Sequence, residues 1–189
     1  MASRIFTFIG SESGAWNIDH METIIGDPIP LAKKLDRLEG DGVTSKLPNL
    51  LSTLSFSLQG ILSNERYVER SEKEKLVPVS PDLGRSDSTL AVLIPIRKNA
   101  AWWALTQDER RRIFEEKSHH IQIGMKALPA IARKLHHCRD LGDTEPFDFL
   151  TWFEFAPQDK NAFDQMLAEL RATEEWKYID REVEIRLSR

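Results

Sequence analysis

The sequence predicts an α+β protein whose C-terminal half is a ferredoxin-like βαββαβ unit with an antiparallel sheet. The first observation is the order of strand and helix patterns after residue 88, which runs β-α-β-β-α-β. The second is the run "FDFLTWFEF" (147–155), whose alternating apolar residues are typical of an antiparallel sheet packed on one face. The third is the run 159–173, in which apolar residues recur at helical spacing.

The unit begins with a strand and a long helix. "TLAVLIPIRK" (89–98) is short, apolar and β-branched, which favours a strand. "TQDERRRIFEEKSHHIQIGMKAL" (106–128) has helical spacing, and Thr106 with Glu109 three residues later forms a capping-box pattern. Pro129 predicts that this helix stops or kinks just before it.

The remaining elements are strands at 132–141, 147–155 and 182–187, and a helix at 159–173. The strands at 147–155 and 182–187 and the helix at 159–173 each have a predicted apolar face. The three faces are formed by Phe147, Phe149, Phe153 and Phe155 with Thr151, by Phe163, Met166, Leu167 and Leu170, and by Val183, Ile185 and Leu187.

The first half of the chain has weaker patterns. We predict a strand at 4–10, a short helix at 30–38 and a hairpin or long strand at 50–70. The charge run 65–75 reads as a solvated face or turn, and the Pro, Gly and Ser content of 77–88 predicts a connection. No internal repeat demonstrates a second copy of the βα unit.

Composition limits the classes of function. The 189 residues carry a net charge of −4 with a pI near 5.8, so neither nucleic acid nor an anionic membrane is an expected partner. No apolar run approaches the roughly 18 residues that span a bilayer. The start of the chain lacks the pattern of a secretory signal, and the single cysteine, Cys138, excludes an intrachain disulfide. We therefore expect a cytoplasmic protein and an unreactive thiol.

The paired histidines are the first candidates for chemistry. Adjacent helix residues point about 100° apart, so His119 and His120 are poorly placed to chelate one ion together. His136 and His137 fall on opposite faces of a strand for the same kind of reason. His120 borders an apolar stripe and Gly124 follows one turn later, which leaves room for a flat ligand. A capping or surface role for His120 is the alternative.

Three other features carry charge or rings into apolar surroundings. Lys98 shares a strand face with apolar residues that include Ile96, and it requires a buried partner or an exit to water. Arg133 alternates with apolar residues, so its guanidinium should meet an anion or form a structural ion pair. Trp102 and Trp103 are either core or interface anchors.

Together, "IPIRKNAAWWAL", the "HH" helix, "ARKLHHCRDL" and "FDFLTWFEF" resemble the haem b-dependent chlorite dismutases, in their short-chain lineage. The resemblance lies in the C-terminal half. It implies a dimeric α+β barrel, with a truncated, related N-terminal half over 1–80 and a haem-binding ferredoxin-like half over 81–189. It also implies a homodimer.

The resemblance assigns roles residue by residue. His120 matches the proximal ligand of the haem iron, because Arg133, 13 residues later, matches the family's distal arginine. Lys98 matches the lysine of the proximal hydrogen-bond network. The proximal glutamate best matches Glu175, with Glu174 as the open alternative.

Around the cofactor, the resemblance places Trp102, Trp103, Ile96 and Gly124. It implies that chlorite gives an oxygen atom to the iron, leaving a ferryl haem and hypochlorite. Arg133 would hold the hypochlorite until chloride and dioxygen are released. Alternatives are a haem carrier or sensor without turnover, a coproporphyrin-type decarboxylase or peroxidase of the same superfamily, and a haem-free ferredoxin-like stress or dimerisation module. The biological substrate is left open.

Overall fold

The computed structural model describes residues 4–40, 53–62, 66–142 and 144–189. Eight antiparallel strands close a barrel in the order β1-β3-β2-β8-β5-β7-β6-β4, in which β4 pairs back onto β1. The strands are β1 Ile5–Ser11, β2 Trp16–Ile25, β3 Lys34–Glu39, β4 Leu54–Leu62, β5 Leu90–Lys98, β6 Ala132–His137, β7 Phe149–Phe155 and β8 Ile179–Ser188.

Helices lie in the connections between strands. They are α1 Arg70–Leu76, α2 Ala100–Ala104, α3 Gln107–Arg111, α4 His120–Lys126 and α5 Lys160–Arg171. A π-helical turn at Arg112–Lys117 continues α3, and short 3-10 turns lie at Val77–Val79, Pro157–Asp159 and Glu175–Tyr178. Within the described ranges, no helix is long and apolar enough to cross a membrane.

The strand order confirms the ferredoxin-like fold. Numbered within the C-terminal half, β8-β5-β7-β6 is the order fourth, first, third, second, the order of a βαββαβ sheet. The N-terminal strands repeat it as β4-β1-β3-β2. Two junctions, β2 with β8 and β4 with β6, join the two four-stranded sheets into one barrel.

The sheet buries side chains on both faces, so there are two cores. The barrel interior is filled by aromatic and aliphatic side chains, including Phe6, Phe8, Trp16, Leu35, Leu93, Phe147, Leu150, Trp152, Val183, Ile185 and Leu187. An eight-stranded barrel has about this capacity, so its interior is a packed core and not a channel. The outer core packs β5 and β7 against α4 and α5, through Val92, Ile94, Ile96, Ile123, Phe153, Phe155, Phe163, Met166, Leu167 and Leu170.

Most predicted elements of the C-terminal half are confirmed. Strands form at β5, β6, β7 and β8, and α5 buries Phe163, Met166, Leu167 and Leu170 as its stripe predicts. The capping box of Thr106 and Glu109 is present at the start of α3. In the first half, β1 confirms the strand predicted at 4–10.

The single helix predicted over 106–128 is wrong, because the segment contains α3, the π-helical turn and α4 in succession. The break falls at His119, whose φ of 53° is left-handed. A helical hydrophobic pattern survives such a break, since each fragment keeps its own apolar face. Helix α4, the last helix of this segment, ends at Lys126, before Pro129 as expected.

Two further predictions are wrong. The helix predicted at 30–38 is instead strand β3, which pairs with β1 and β2. The sheet is not packed on one face, and Phe147 precedes β7 and lies in the barrel interior, while Phe153 and Phe155 pack outside. The barrel supplies the second buried face, which a single sheet lacks.

The predictions at 50–70 and 65–75 fall partly outside the described residues, at 50–52 and 63–65. The described part of the first contains β4, and that of the second contains α1, which buries none of its residues.

Candidate active site

A large cavity lies between the outer face of the C-terminal sheet and the elements that cover it. Its volume is about 370 Å³, and it is partly open to solvent. Strands β5, β6 and β7 form one wall, and α4, α5 and the 3-10 turn at Glu175–Tyr178 form another. The connection between the two halves contributes Tyr67, Leu76 and Pro81. Most of the lining is apolar, so the few charged groups in it are conspicuous.

Three of those charged or titratable groups form a continuous chain. Glu175 Oε2 lies 2.6 Å from His120 Nδ1, and Glu175 Oε1 lies 2.7 Å from the Lys98 Nζ. These residues come from the start of α4, the 3-10 turn after α5 and the end of β5. Lys98 therefore has a buried partner and does not extend to solvent, since its side chain is 4% exposed.

Charge balance keeps the carboxylate ionised. Burial alone would raise the pKa of Glu175, but the neighbouring His120 and Lys98 outweigh it and lower that pKa to about 2. The Lys98 ammonium also lies 4.5 Å from the centre of the Trp102 ring and 5.9 Å from that of Trp176, within the range of cation–π attraction. The backbone N–H of Lys98 donates to Asp148 at 2.7 Å, which fixes the end of β5.

The imidazole of His120 is oriented on two sides. Phe114 stacks on it, with ring centres 4.3 Å apart and planes 24° apart. When Nδ1–H donates this hydrogen bond to the Glu175 carboxylate, a neutral ring has its lone pair on Nε2, for which the described residues supply no hydrogen-bond partner. A carboxylate-held imidazole of this kind is a typical metal ligand.

Strand β6 brings Arg133, Leu135 and His137 to the cavity lining. Arg133 is exposed and carries a permanent positive charge. Burial, assisted by the charge of Arg66, lowers the pKa of His137 to about 4, so this imidazole is neutral near pH 7. Its neighbour His136 points into the barrel interior between Phe6 and Phe8, as the alternation of a strand requires.

The structure brings together most of the residues singled out from the sequence. Ile96, Trp102 and Gly124 line the same cavity as His120 and Arg133. Trp103 lies outside the lining, where its ring stacks on Phe149 and its indole N–H donates to Asp148 at 3.2 Å. The neighbouring tryptophans therefore have different surroundings.

Of the two adjacent glutamates, the structure brings Glu175 to the histidine. Glu174 instead pairs with Lys177 at 2.6 Å on the exposed side of the turn. Cys138 is buried, and burial raises the pKa of its thiol, which fits the unreactive cysteine expected from the sequence.

Comparison with known proteins gives the family. The model of the chlorite dismutase family matches residues 35–189. The chain belongs to the chlorite dismutase family. A curated chlorite dismutase from Ideonella dechloratans is 33% identical over 138 residues, which is 68% of this chain and 43% of that relative. The match thus spans less than half of that relative's length.

Solved structures of chlorite dismutases share the fold. A crystal structure of dimeric chlorite dismutases from Nitrobacter winogradskyi is 52% identical, with a TM-score of 0.87 over 97% of this chain and 99% of that one. A mutant chlorite dismutase from Candidatus Nitrospira defluvii is 19% identical, with a TM-score of 0.71 over 100% of this chain and 93% of that one. The second likeness shows the fold alone.

In this chlorite dismutase family member, several cavity residues escaped the sequence analysis. Tyr67 and Phe114 line the cavity and touch each other, with ring centres 5.8 Å apart. Trp176 lines it too, and its indole N–H donates to the fully buried Glu182 at 2.7 Å. Because Trp176 directly follows Glu175, its position in the sequence could have placed it near the cavity. Tyr67 lies in a charge run that showed no apolar pattern.

Proposed function

We propose that this chlorite dismutase family member is a haem b enzyme that converts chlorite to chloride and dioxygen. The observation that carries the proposal is the chain of contacts from His120 through Glu175 to Lys98, set in the wall of a cavity that Arg133 also lines. The 52% identical structure, described as a chlorite dismutase, supports the same reaction.

The residues present fit a haem. The cavity is large and mostly apolar, and His120 offers a nitrogen with no described protein partner. A Cβ added to Gly124 would meet nothing within 4 Å, so the helix that carries His120 leaves open space one turn beyond it. The indole N–H of Trp102 is buried without a partner among the described residues. When bound, the haem would supply the iron-centred oxygen-transfer chemistry that conversion of chlorite to chloride and dioxygen requires.

His120, Glu175 and Lys98 would together hold the haem and set the electron donation of the imidazole. His120 would bind the iron through Nε2, while Glu175 accepts a hydrogen bond from Nδ1–H and makes the imidazole a stronger electron donor. Lys98 balances the buried carboxylate, which keeps Glu175 ionised and able to accept that hydrogen bond. The three residues thus act as one hydrogen-bonded unit.

Arg133 would act on the anions. Its guanidinium attracts chlorite, and it cannot act as a base because it stays protonated. We assign to it the retention of hypochlorite, so that the oxygen atoms recombine before that oxidant escapes.

We also propose that the chain forms a homodimer and that its halves divide near residue 80. The dimeric relative from Nitrobacter winogradskyi supports the first proposal. The repeated strand order of β1–β4 and β5–β8 supports the second. Light scattering after size-exclusion chromatography tests the dimer, and a monomer mass would contradict it. A cytoplasmic location stays a prediction of the sequence.

The decisive experiment is to produce the chain with haem supplied, record its Soret band and follow dioxygen with an electrode after adding chlorite. We expect a haem spectrum and one dioxygen for each chlorite. A chain that takes up no haem would contradict the whole proposal. Haem uptake without dioxygen would favour the carrier or the decarboxylase.

Arg133→Ala tests the distal assignment in the same assay. We expect this variant to keep its haem, to release hypochlorite that a chlorination probe detects, and to lose its Soret band after fewer turnovers. Arg112→Ala is the matched control, because Arg112 is exposed and lies outside the cavity lining. Equal turnover and lifetime in both variants would remove Arg133 from the mechanism.

A further inference from the structure

We propose that Glu115 and Ser118 are positioning residues that fix the hydrogen bond between His120 and Glu175. The proposal rests on the proposed function, in which that hydrogen bond tunes the iron ligand. Both residues belong to the segment between α3 and α4, which the sequence alone predicted to be plain helix. Neither residue lines the cavity, and each accepts a hydrogen bond from the backbone N–H of a residue that does.

Glu115 caps the helix that carries His120. Its carboxylate lies in the π-helical turn, is 5% exposed, and accepts the backbone N–H of Ile121 at 2.7 Å. The first N–H groups of a helix have no partner within it, and the residue before the helix normally satisfies one of them. Here that residue is His119, whose side chain makes no capping bond. Glu115 therefore performs the capping from four residues further back.

Ser118 holds the other partner of the pair. Its hydroxyl is buried and accepts the backbone N–H of Glu175 at 2.9 Å, 57 residues away in sequence. This bond joins the segment before α4 to the 3-10 turn after α5. The His120 side of the pair is thus fixed by Glu115, and the Glu175 side by Ser118.

The backbone between these two residues explains why such support is required. His119 has a φ of 53°, a left-handed conformation that costs free energy for a residue with a side chain. Such a conformation persists when its surroundings determine it. The π-helical turn and the two hydrogen bonds on either side of His119 supply that constraint. Without them, α4 could rejoin the preceding helix and rotate His120 away from Glu175.

The test uses Glu115→Ala and Ser118→Ala in the full chain. Glu116→Ala is the matched control, because Glu116 is the adjacent carboxylate and is exposed. Glu115→Gln is the conservative variant, since its amide oxygen can still accept the Ile121 N–H. Ser118→Ala is a small change that keeps the test valid if Glu115→Ala fails to fold.

The first measurement is amide hydrogen exchange in the haem-free chain. We expect the Ile121 amide to exchange about tenfold faster in Glu115→Ala, and the Glu175 amide about tenfold faster in Ser118→Ala. Glu116→Ala should change neither, and Glu115→Gln should restore the protection of Ile121. Unchanged exchange in both alanine variants would overturn the proposal, whatever the chain does with haem.

The second measurement is made on the haem-loaded chain. We expect both alanine variants to transfer haem to apomyoglobin about tenfold faster than the wild type, and their ferrous iron–histidine stretch to move to lower frequency. Glu115→Gln should show the wild-type stretch. Variants with faster exchange but an unshifted stretch would contradict the link to the iron ligand. A wild type that binds no haem would defeat the proposed function, while the exchange measurement would still decide the positioning.

Discussion

The two halves of the barrel have the same strand order but different connections. In the N-terminal half, β1 and β2 are joined by the four residues 12–15. In the C-terminal half, the equivalent connection between β5 and β6 spans 99–131 and carries α2, α3, the π-helical turn and α4. The short connection leaves no room for a helical cover over β1 and β2. The long one contributes Trp102, Phe114, His120 and Gly124 to the cavity lining, among other residues.

This difference separates the elements that form the barrel from those that form the candidate site. The strands of both halves fill one barrel interior with their aromatic and aliphatic side chains. His120, Phe114 and Gly124 all come from the long connection of the C-terminal half, and Glu175 comes from the connection that follows α5. The proposed iron ligand and its carboxylate partner therefore come from the connections, whereas the strands supply Lys98 and Arg133.

The largest expected effect comes from the long connection itself. His120→Ala should abolish tight haem binding, because it removes the proposed iron ligand, whereas His119→Ala should retain the haem. Titration of each haem-free variant with haem, followed at the Soret band, measures the affinities. We expect a loss of at least about 100-fold for His120→Ala alone. Equal affinities in the two variants would refute the assignment.

The next effect concerns Lys98, at the end of strand β5. Lys98→Met leaves the carboxylate of Glu175 buried without its ammonium partner, which should lower the free energy of unfolding of the haem-free chain by about 3–5 kcal/mol. Urea unfolding followed by tryptophan fluorescence measures this. Lys177→Met is the control, since it breaks the exposed pair with Glu174 and should leave the urea midpoint unchanged. Similar midpoints for both variants would show that the buried pair contributes nothing.

A third effect belongs to the barrel interior, where residues of both halves meet. Burial lowers the pKa of His136 from its ordinary value of 6.5 to about 4. Between these values the unfolded chain binds a proton that the folded chain does not. The free energy of unfolding should therefore fall as the pH falls from 6.5 to 4, by about 1.4 kcal/mol per pH unit.

His136→Asn should remove this contribution without changing haem affinity, because His136 lies on the interior side of the sheet. His137, with a similarly lowered pKa, should keep a comparable slope of its own. Urea unfolding at several pH values measures the slopes, and His20→Asn, at an exposed site on β2, is the control. An unchanged slope in His136→Asn would contradict the buried neutral histidine.

The smallest expected effect raises the stability of the haem-free chain but lowers its affinity for haem. Gly124→Ala adds a methyl group in open space within α4, so it should stabilise the haem-free chain by about 0.5–1 kcal/mol. The same methyl group projects into the cavity lining and should weaken haem binding. Unfolding and haem titration of the one variant measure both changes, with Gln122→Ala on the exposed side of α4 as control. A stabilised variant with unchanged haem affinity would place the haem away from Gly124.

The sequence predicted elements whose signals are local. Strand β5 and helix α5 were found because β-branched runs and helical stripes are visible within ten to fifteen residues. The strand β3 was mistaken for a helix because "KKLDRL" contains good helix formers, and pairing with β1 and β2 overrides that preference. The strand β2 gave no signal, since its partner β8 lies at the other end of the chain and of its residues only Trp16 is buried.

The candidate site was predicted only in part, because residues that are far apart in the sequence leave no local signal. The resemblance to a family connected His120, Arg133, Lys98 and Glu175, but no periodic pattern links positions 55 residues apart such as His120 and Glu175. The left-handed His119 could not be anticipated, because most left-handed positions are occupied by glycine or asparagine. Glu115 had the pattern of an exposed helix residue.

The two junctions between the halves are unequal. The β2–β8 ladder runs from Asn17 opposite Ser188 to Ile25 opposite Glu182. In the described residues, β4 and β6 pair only where Ile61 and Leu62 face His137 and His136. Local opening is cheapest where a ladder is short, and Leu62 and His137 also line the cavity. Of the two junctions, β4–β6 is therefore the one where separating the halves costs less free energy, and it lies beside the cavity.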